Sequence, residues 1–155
     1  MQHYVHAQFP GLVGQEIALT DWLEITQDRI DRFADATDDH QWIHVDAERA
    51  RSGPFGATIA HGYLTLSLLA GFSQRNLSID DETMSINYGL NKVRFPSPVR
   101  CGSRVRARFV LQSCTPADGG PGGRPGLQLV MRATIEIEGS EKPACVAEAV
   151  RLTFR

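Results

Sequence analysis

The chain changes hydrophobic period near Thr83. Downstream of it, Val105, Ala107, Phe109 and Leu111 alternate with Arg104, Arg106 and Arg108. Leu127, Leu129, Met131, Ala133, Ile135 and Ile137 alternate in the same way with Gln128, Arg132, Thr134, Glu136 and Glu138. A period of two puts one face of each strand in a core and the other in water, as antiparallel sheets allow. A weaker alternation over 143–154 predicts a last strand. The stretch between the two clear strands, Thr115–Gly126, carries five Gly and three Pro. It predicts a mobile hairpin loop.

Upstream of Thr83 the period is helical. Leu19, Trp22, Leu23 and Ile25 close an extended stretch, and Thr26 has the side chain to cap a helix that begins after it. Ile30, Phe33 and Ala34 then form an apolar stripe that ends near Thr37. A short helix is expected over Asp46–Arg51, followed by a Ser52-Gly53-Pro54 turn. From His61, the residues Tyr63, Leu64, Leu66, Leu68, Leu69 and Phe72 occupy nearly all sides of a helical wheel. Such a helix is expected to be wrapped by other structure on most sides. One strand, two short helical segments, a buried helix and four strands make an α+β domain.

Length and composition narrow the class. A chain of 155 residues forms one domain, here 1–155, and buries a core without metal or disulfides. A formal charge of −2 excludes a globally basic nucleic-acid binder. No apolar run approaches the roughly 18–20 residues a bilayer span requires, and MQHYVHAQFPG lacks the layout of a secretion signal. Cys101, Cys114 and Cys145 form no CxxC pair and read as thiols of a reducing compartment. The expectation is a cytoplasmic protein without membrane or nucleic-acid partners.

Candidate chemistry gathers in DDHQWIH (Asp38–His44) and in AHGYLTLSLL, which begins at Ala60. Asp39 and His44 in one loop suit general acid–base work on one substrate atom; the same residues also suit a polar turn anchored by Trp42. His40 and His44, four apart, with His61 or an Asp as a third ligand, offer a metal-binding alternative, although the HExxH glutamate is absent. Gly62 stands where the first helical amides lack partners and a ligand oxygen can approach the backbone; an ordinary turn glycine fits as well. His61 reads first as a local hydrogen-bonding residue. The stretch 83–117 contains no acid but holds Lys92, Arg94 and the alternating arginines. Arg94 is the better candidate for substrate phosphate, the alternating Arg104, Arg106 and Arg108 fitting a solvated strand face.

These segments resemble the MaoC-like, R-specific enoyl-CoA hydratases, and most nearly the nodulation protein N subgroup. FADATDDHQWIHVDAERA resembles the family's Asp-to-His motif, GPFGATIAHGYLTLSLL the start of its central helix, and NYGLNKVRFPSPV the strand after it. The resemblance implies a hot-dog fold, an antiparallel sheet curled around the central helix. It also implies a homodimer and hydration of trans-2-enoyl thioesters on coenzyme A, or on acyl carrier protein, to (R)-3-hydroxyacyl products. No metal or redox cofactor is implied, coenzyme A entering only as part of the substrate. By position, Asp39 and His44 match the catalytic pair, and Gly62 matches the glycine whose amide polarises the thioester carbonyl. Gln41, His61, Tyr63, Lys92 and Arg94 are the expected substrate contacts, and Leu64 and Leu68 the walls of an acyl tunnel.

Four positions depart from the pattern. Asp38 replaces a glycine and adds a like charge beside Asp39. Gln41 and Trp42 replace Asn and Pro, and Ala70 replaces a serine found in some members. Two other functions remain on this reading: a hot-dog thioesterase, and a non-catalytic acyl-thioester-binding module. The first places its acid on the central helix, and Tyr63–Phe72 carries neither Asp nor Glu.

Overall fold

A computed structural model describes residues 1–118 and 121–155. The chain runs through β1 (Gln2–Tyr4), a 3-10 segment (His6–Leu12), β2 (Glu16–Leu19), β3 (Leu23–Glu24), α1 (Gln27–Thr37), α2 (Trp42–Val45), α3 (Ala47–Arg51) and α4 (Gly62–Asn76). It continues through β4 (Leu77–Ile79), β5 (Met84–Arg94), β6 (Arg104–Ala117), β7 (Gly126–Ile137) and β8 (Cys145–Phe154). The main sheet is antiparallel in the order β2-β6-β7-β8-β5, with β3 also on β6. No helix is long and apolar enough to cross a membrane among the described residues.

The alternation in β6 and β7 sets their register. Phe109 faces Ala133 and Leu111 faces Met131, and all four are buried. Their outward neighbours pair by charge, Arg104 with Glu138 and Arg106 with Glu136. The buried face packs on Leu64, Leu69 and Phe72 of α4. Burying each such side chain contributes about 1.5–3 kcal/mol, which favours this one sheet-on-helix arrangement over any slipped register. Thr26 caps α1 by accepting from the Arg29 amide at 3.3 Å. Thr26→Ala should therefore lower unfolding stability by about 1 kcal/mol, read as a shifted urea midpoint at unchanged slope.

α4 is covered on most sides and leaves one exposed stripe of Tyr63, Ser67, Ala70 and Gln74, with Tyr63 71% exposed. The structure corrects another expectation. The glycine-rich hairpin is shorter than its composition suggests, because Thr115–Ala117 and Gly126 are paired in the β6–β7 ladder; Gly119 and Gly120 lie outside the described residues. β1, β4, α2 and the 3-10 segment escape a periodicity reading, since each is too short to show a period or follows none. β1 pairs in parallel with β4, and the chain after it is fastened by buried His6. Its ring bonds Asp81 at 2.8 Å and the Thr153 hydroxyl at 3.1 Å.

Candidate active site

The catalytic candidates are assembled from three local structures. α1 stops at Asp38, which adopts the left-handed conformation (φ 57°, ψ 19°) and turns the chain out of the helix. This explains a glycine at the matching family position, because a Cβ costs energy in that region. Asp38→Gly should raise stability by up to about 1 kcal/mol and leave turnover within a fewfold, measured by thermal denaturation and initial rates. The chain then enters α2, in which His44 is 6% exposed. His44 Nδ1 lies 2.6 Å from the Ile59 carbonyl. A carbonyl only accepts, so Nδ1 carries the proton and Nε2 presents its lone pair. Burial lowers the His44 pKa below the ordinary histidine value, and the Ile59 bond offsets part of that; neighbouring His61 lowers it further. A neutral imidazole with a free Nε2 is the form a general base requires.

The extended segment 58–60 holds this arrangement. Ile59 N donates to Ile43 O at 3.0 Å and Ala60 N to Val99 O at 2.8 Å. Gln27 ties in from α1, its amide donating to the His44 carbonyl at 2.8 Å while it accepts from Thr58. α4 then begins behind His61. Thr65 N bonds back to His61 O at 3.1 Å, so the amides of Gly62, Tyr63 and Leu64 precede the first intrahelical bond. These donors, at the positive end of a helix, suit a developing oxyanion.

His61 joins the two parts. It is 3% exposed, and its Nε2 donates to the Asp39 carbonyl oxygen at 2.9 Å. Its ring stacks on His44 at 3.7 Å between centroids and 22° between planes, with Phe33 at 5.1 Å on its flank. The expected substrate contact is therefore a buried bracket between the acid's backbone and the base's ring. One nitrogen or carboxylate oxygen from each of Asp39, His44 and His61 lies within 4.8 Å of the others. That spacing accepts a single water between acid and base. His61 Nε2 carries the proton that the Asp39 carbonyl accepts, so it could serve a metal only after giving up that bond. His40, the other metal candidate, turns away to Asp35 at 2.9 Å, and that carboxylate raises its pKa.

The remaining candidates separate. Gln41 is exposed at the start of α2, its carbonyl accepting from His44 N at 2.9 Å. Tyr63 stands exposed beside Gly62, edge-on to Phe95 at 6.2 Å. The absent side chain of Gly62 has a specific use: a Cβ there would lie 3.2 Å from the Phe95 ring, which packs over the helix start. Phe95 was invisible in the sequence, being one aromatic after a strand with no pattern around it. Lys92 and Arg94 are not brought to this cluster. Lys92 pairs with Glu148, which pairs with Arg132 on the outward face of β7; Arg94 shares that outer hollow. Trp42 is half-buried rather than core, seated on Gly53 with the Arg49 guanidinium 4.3 Å above its ring. Leu64 is core, and a groove of about 320 Å³ runs beside α4 along Leu66, Leu69 and Ala70 instead.

Known proteins show the same arrangement of chain. Residues 8–121 match the MaoC like domain. The chain is 49% identical over 144 residues to the 3-hydroxyacyl-thioester dehydratase Z of Mycobacterium tuberculosis, covering 93% of this chain and 92% of that protein. It is 47% identical over 148 residues to nodulation protein N of Rhizobium leguminosarum, covering 94% and 89%. Among solved structures, an R-hydratase from Pseudomonas aeruginosa superposes with a TM-score of 0.74 at 22% identity, over 92% of this chain and 82% of that one. The R-hydratase of A. caviae gives 0.67 at 26% identity, over 90% and 94%. The protein is thus a member of the MaoC-like dehydratase family, with its hot-dog fold.

Proposed function

We propose that the protein is an R-specific hydro-lyase that hydrates trans-2-enoyl-CoA, or the carrier-protein thioester, to the (R)-3-hydroxyacyl thioester, and reverses the reaction. The observation that carries this reading is the Asp39–His44 pair, with a carboxylate oxygen and a ring nitrogen within 4.8 Å of each other and His44 Nε2 without a protein partner among the described residues. Water bridges Asp39 and His44. Its oxygen attacks the β-carbon as Nε2 takes its proton, and the double-bond electron pair moves toward the thioester oxygen. The Gly62 amide holds that oxygen, and the pair returns a proton to the α-carbon. Hydroxyl and hydrogen are both accounted for, with no metal or redox cofactor in the sequence of steps. Three free thiols suit a cytoplasmic setting.

The functional unit in this reading is a homodimer. β5 ends the sheet, and it exposes Ile86, Tyr88 and Leu90 along an unpaired edge of 11 residues. An apolar edge of that length is a template for another strand. Leu90→Lys should convert the dimer to a monomer, checked by light scattering on a sizing column. A monomeric wild type overturns the assembly.

The reaction is tested with crotonyl-CoA: loss of the enoyl absorbance, with chiral analysis of the product. Release of free coenzyme A without a hydroxyacyl product would instead identify a thioesterase, and binding without turnover an acyl-thioester module. Activity abolished by a chelator would overturn the metal-free mechanism.

A further inference from the structure

The groove beside α4 is two-sided in chemistry. Its near half, toward Gly62, is walled by Leu66, Leu90 and Ala149, over a floor of Phe109 and Met131. β5 runs back along α4, as Phe95 over Gly62 at one end and the Ser73–Arg151–Ser85 contacts at the other show. The far half is polar: Ser73 and Gln74 from α4, Ser85 and Asn87 from β5, and Arg151 from β8. Eleven residues of helix separate Gly62 from Ser73, about 16 Å of rise. The same helix that presents the oxyanion amides therefore leads to a hydrogen-bonding terminus.

Arg151 is the centre of that terminus. One of its terminal nitrogens, Nη2, reaches both Glu82 carboxylate oxygens, at 2.9 and 3.0 Å, and Ser85 Oγ at 2.8 Å. Nη1 reaches Ser73 Oγ at 3.4 Å. Its Nε–H is buried and meets no acceptor among the described residues. An apolar chain end laid along the far half would strip Gln74, Asn87 and the Arg151 side chain of solvent and give no hydrogen bond in return, which is costly. A carboxylate end fits poorly too, because Glu82 already balances the guanidinium charge. A neutral oxygen suits the site.

We propose, on the reading above, that the groove selects enoyl thioesters whose acyl chain carries a neutral oxygen function, a hydroxyl or keto group, near its distal end. Such an oxygen accepts from Arg151 or Asn87 while the methylenes behind it line Leu66, Phe109 and Met131.

The experiment compares dodecenoyl-CoA with its ω-hydroxy and ω-carboxy analogues, with crotonyl-CoA as a substrate too short to reach the far half. The ω-hydroxy compound should exceed the ω-methyl one in kcat/KM by about tenfold, the worth of one well-made buried hydrogen bond, and should exceed the ω-carboxy one as well. Ser73→Leu and Asn87→Leu should erase or reverse that preference while leaving crotonyl-CoA turnover unchanged. Neither removes the Glu82–Arg151 pair, which Arg151→Met would break, so both variants keep the fold. Equal or better use of the ω-methyl or ω-carboxy chain overturns the inference. Rejection of all three long chains does so too, since another occupant, such as a second copy, then fills the groove. The matching saturated thioesters, titrated calorimetrically, give the same comparison without turnover. Failure on crotonyl-CoA therefore strikes the reaction, and an absent affinity difference strikes the groove.

Discussion

Asp39→Asn and His44→Gln should each slow crotonyl-CoA hydration by at least about a hundredfold, and the double substitution should cost little more. Groups that act together on one water are non-additive: once either is gone, the other has no productive partner. The structure decides which variants to use. Asp39 is half exposed, and its carboxylate lies 4.0 Å from His61 Nε2, so Asn keeps the shape and removes the carboxylate's charge. His44 is buried and its Nδ1–H satisfies the Ile59 carbonyl. His44→Ala would strand that carbonyl and cost about 1–3 kcal/mol of stability, mixing unfolding with lost chemistry. Gln retains a donor at that position and lacks the basic nitrogen. Rates near wild type in Asp39→Asn, with a folded protein by circular dichroism, would remove the acid–base mechanism. A double variant slowed by the product of the two single effects would show two independent roles.

How much of this was written in the sequence depends on which physics each element uses. β6 and β7 were readable because each has one dry and one wet face, so Val105 to Leu111 could only alternate. β5 offered no such signal, being exposed along most of its length and interrupted by bulges after Asn87 and Leu90. Those bulges bear on where a side chain points, and they lie just before Lys92 and Arg94. The charge of these two residues was plain in the sequence, but their face was not. For α4 the sequence predicts cover on most sides but not which side stays open, because Tyr63 and Ala70 carry little polarity; residue type does not separate a helix face buried in its own chain from one kept for another surface. α2 is four residues long and holds no period at all. That Asp39, His44 and the start of α4 gather in one place was legible through the motif. The His61 bracket was not, since it depends on two segments that meet only in the folded chain.

That bracket yields the second large effect. His61→Phe should lower kcat by about tenfold to a hundredfold with little change in KM. Phe keeps the stacking surface against His44 and Phe33, so the variant removes only the polar ring nitrogens, with the hydrogen bond from Nε2 to the Asp39 carbonyl at 2.9 Å. Freed of that bond, the Asp39 loop needs to drift by no more than about 1 Å to lose such a factor, because attack requires aligned groups. A pH profile separates positioning from simple support. His44 must be neutral to act as base, and its burial and His61 both hold its pKa below the ordinary value. The wild-type rate should therefore persist as pH falls through the usual histidine range and decline only below it. Removing His61 deletes one of the depressing influences, so the His44 pKa rises and the acid limb moves to higher pH. A residue with a merely structural role would lower the folded fraction and leave the limb in place. An unmoved limb with unchanged kcat would return His61 to that role, and an increase in KM alone would restore it to the substrate's binding surface.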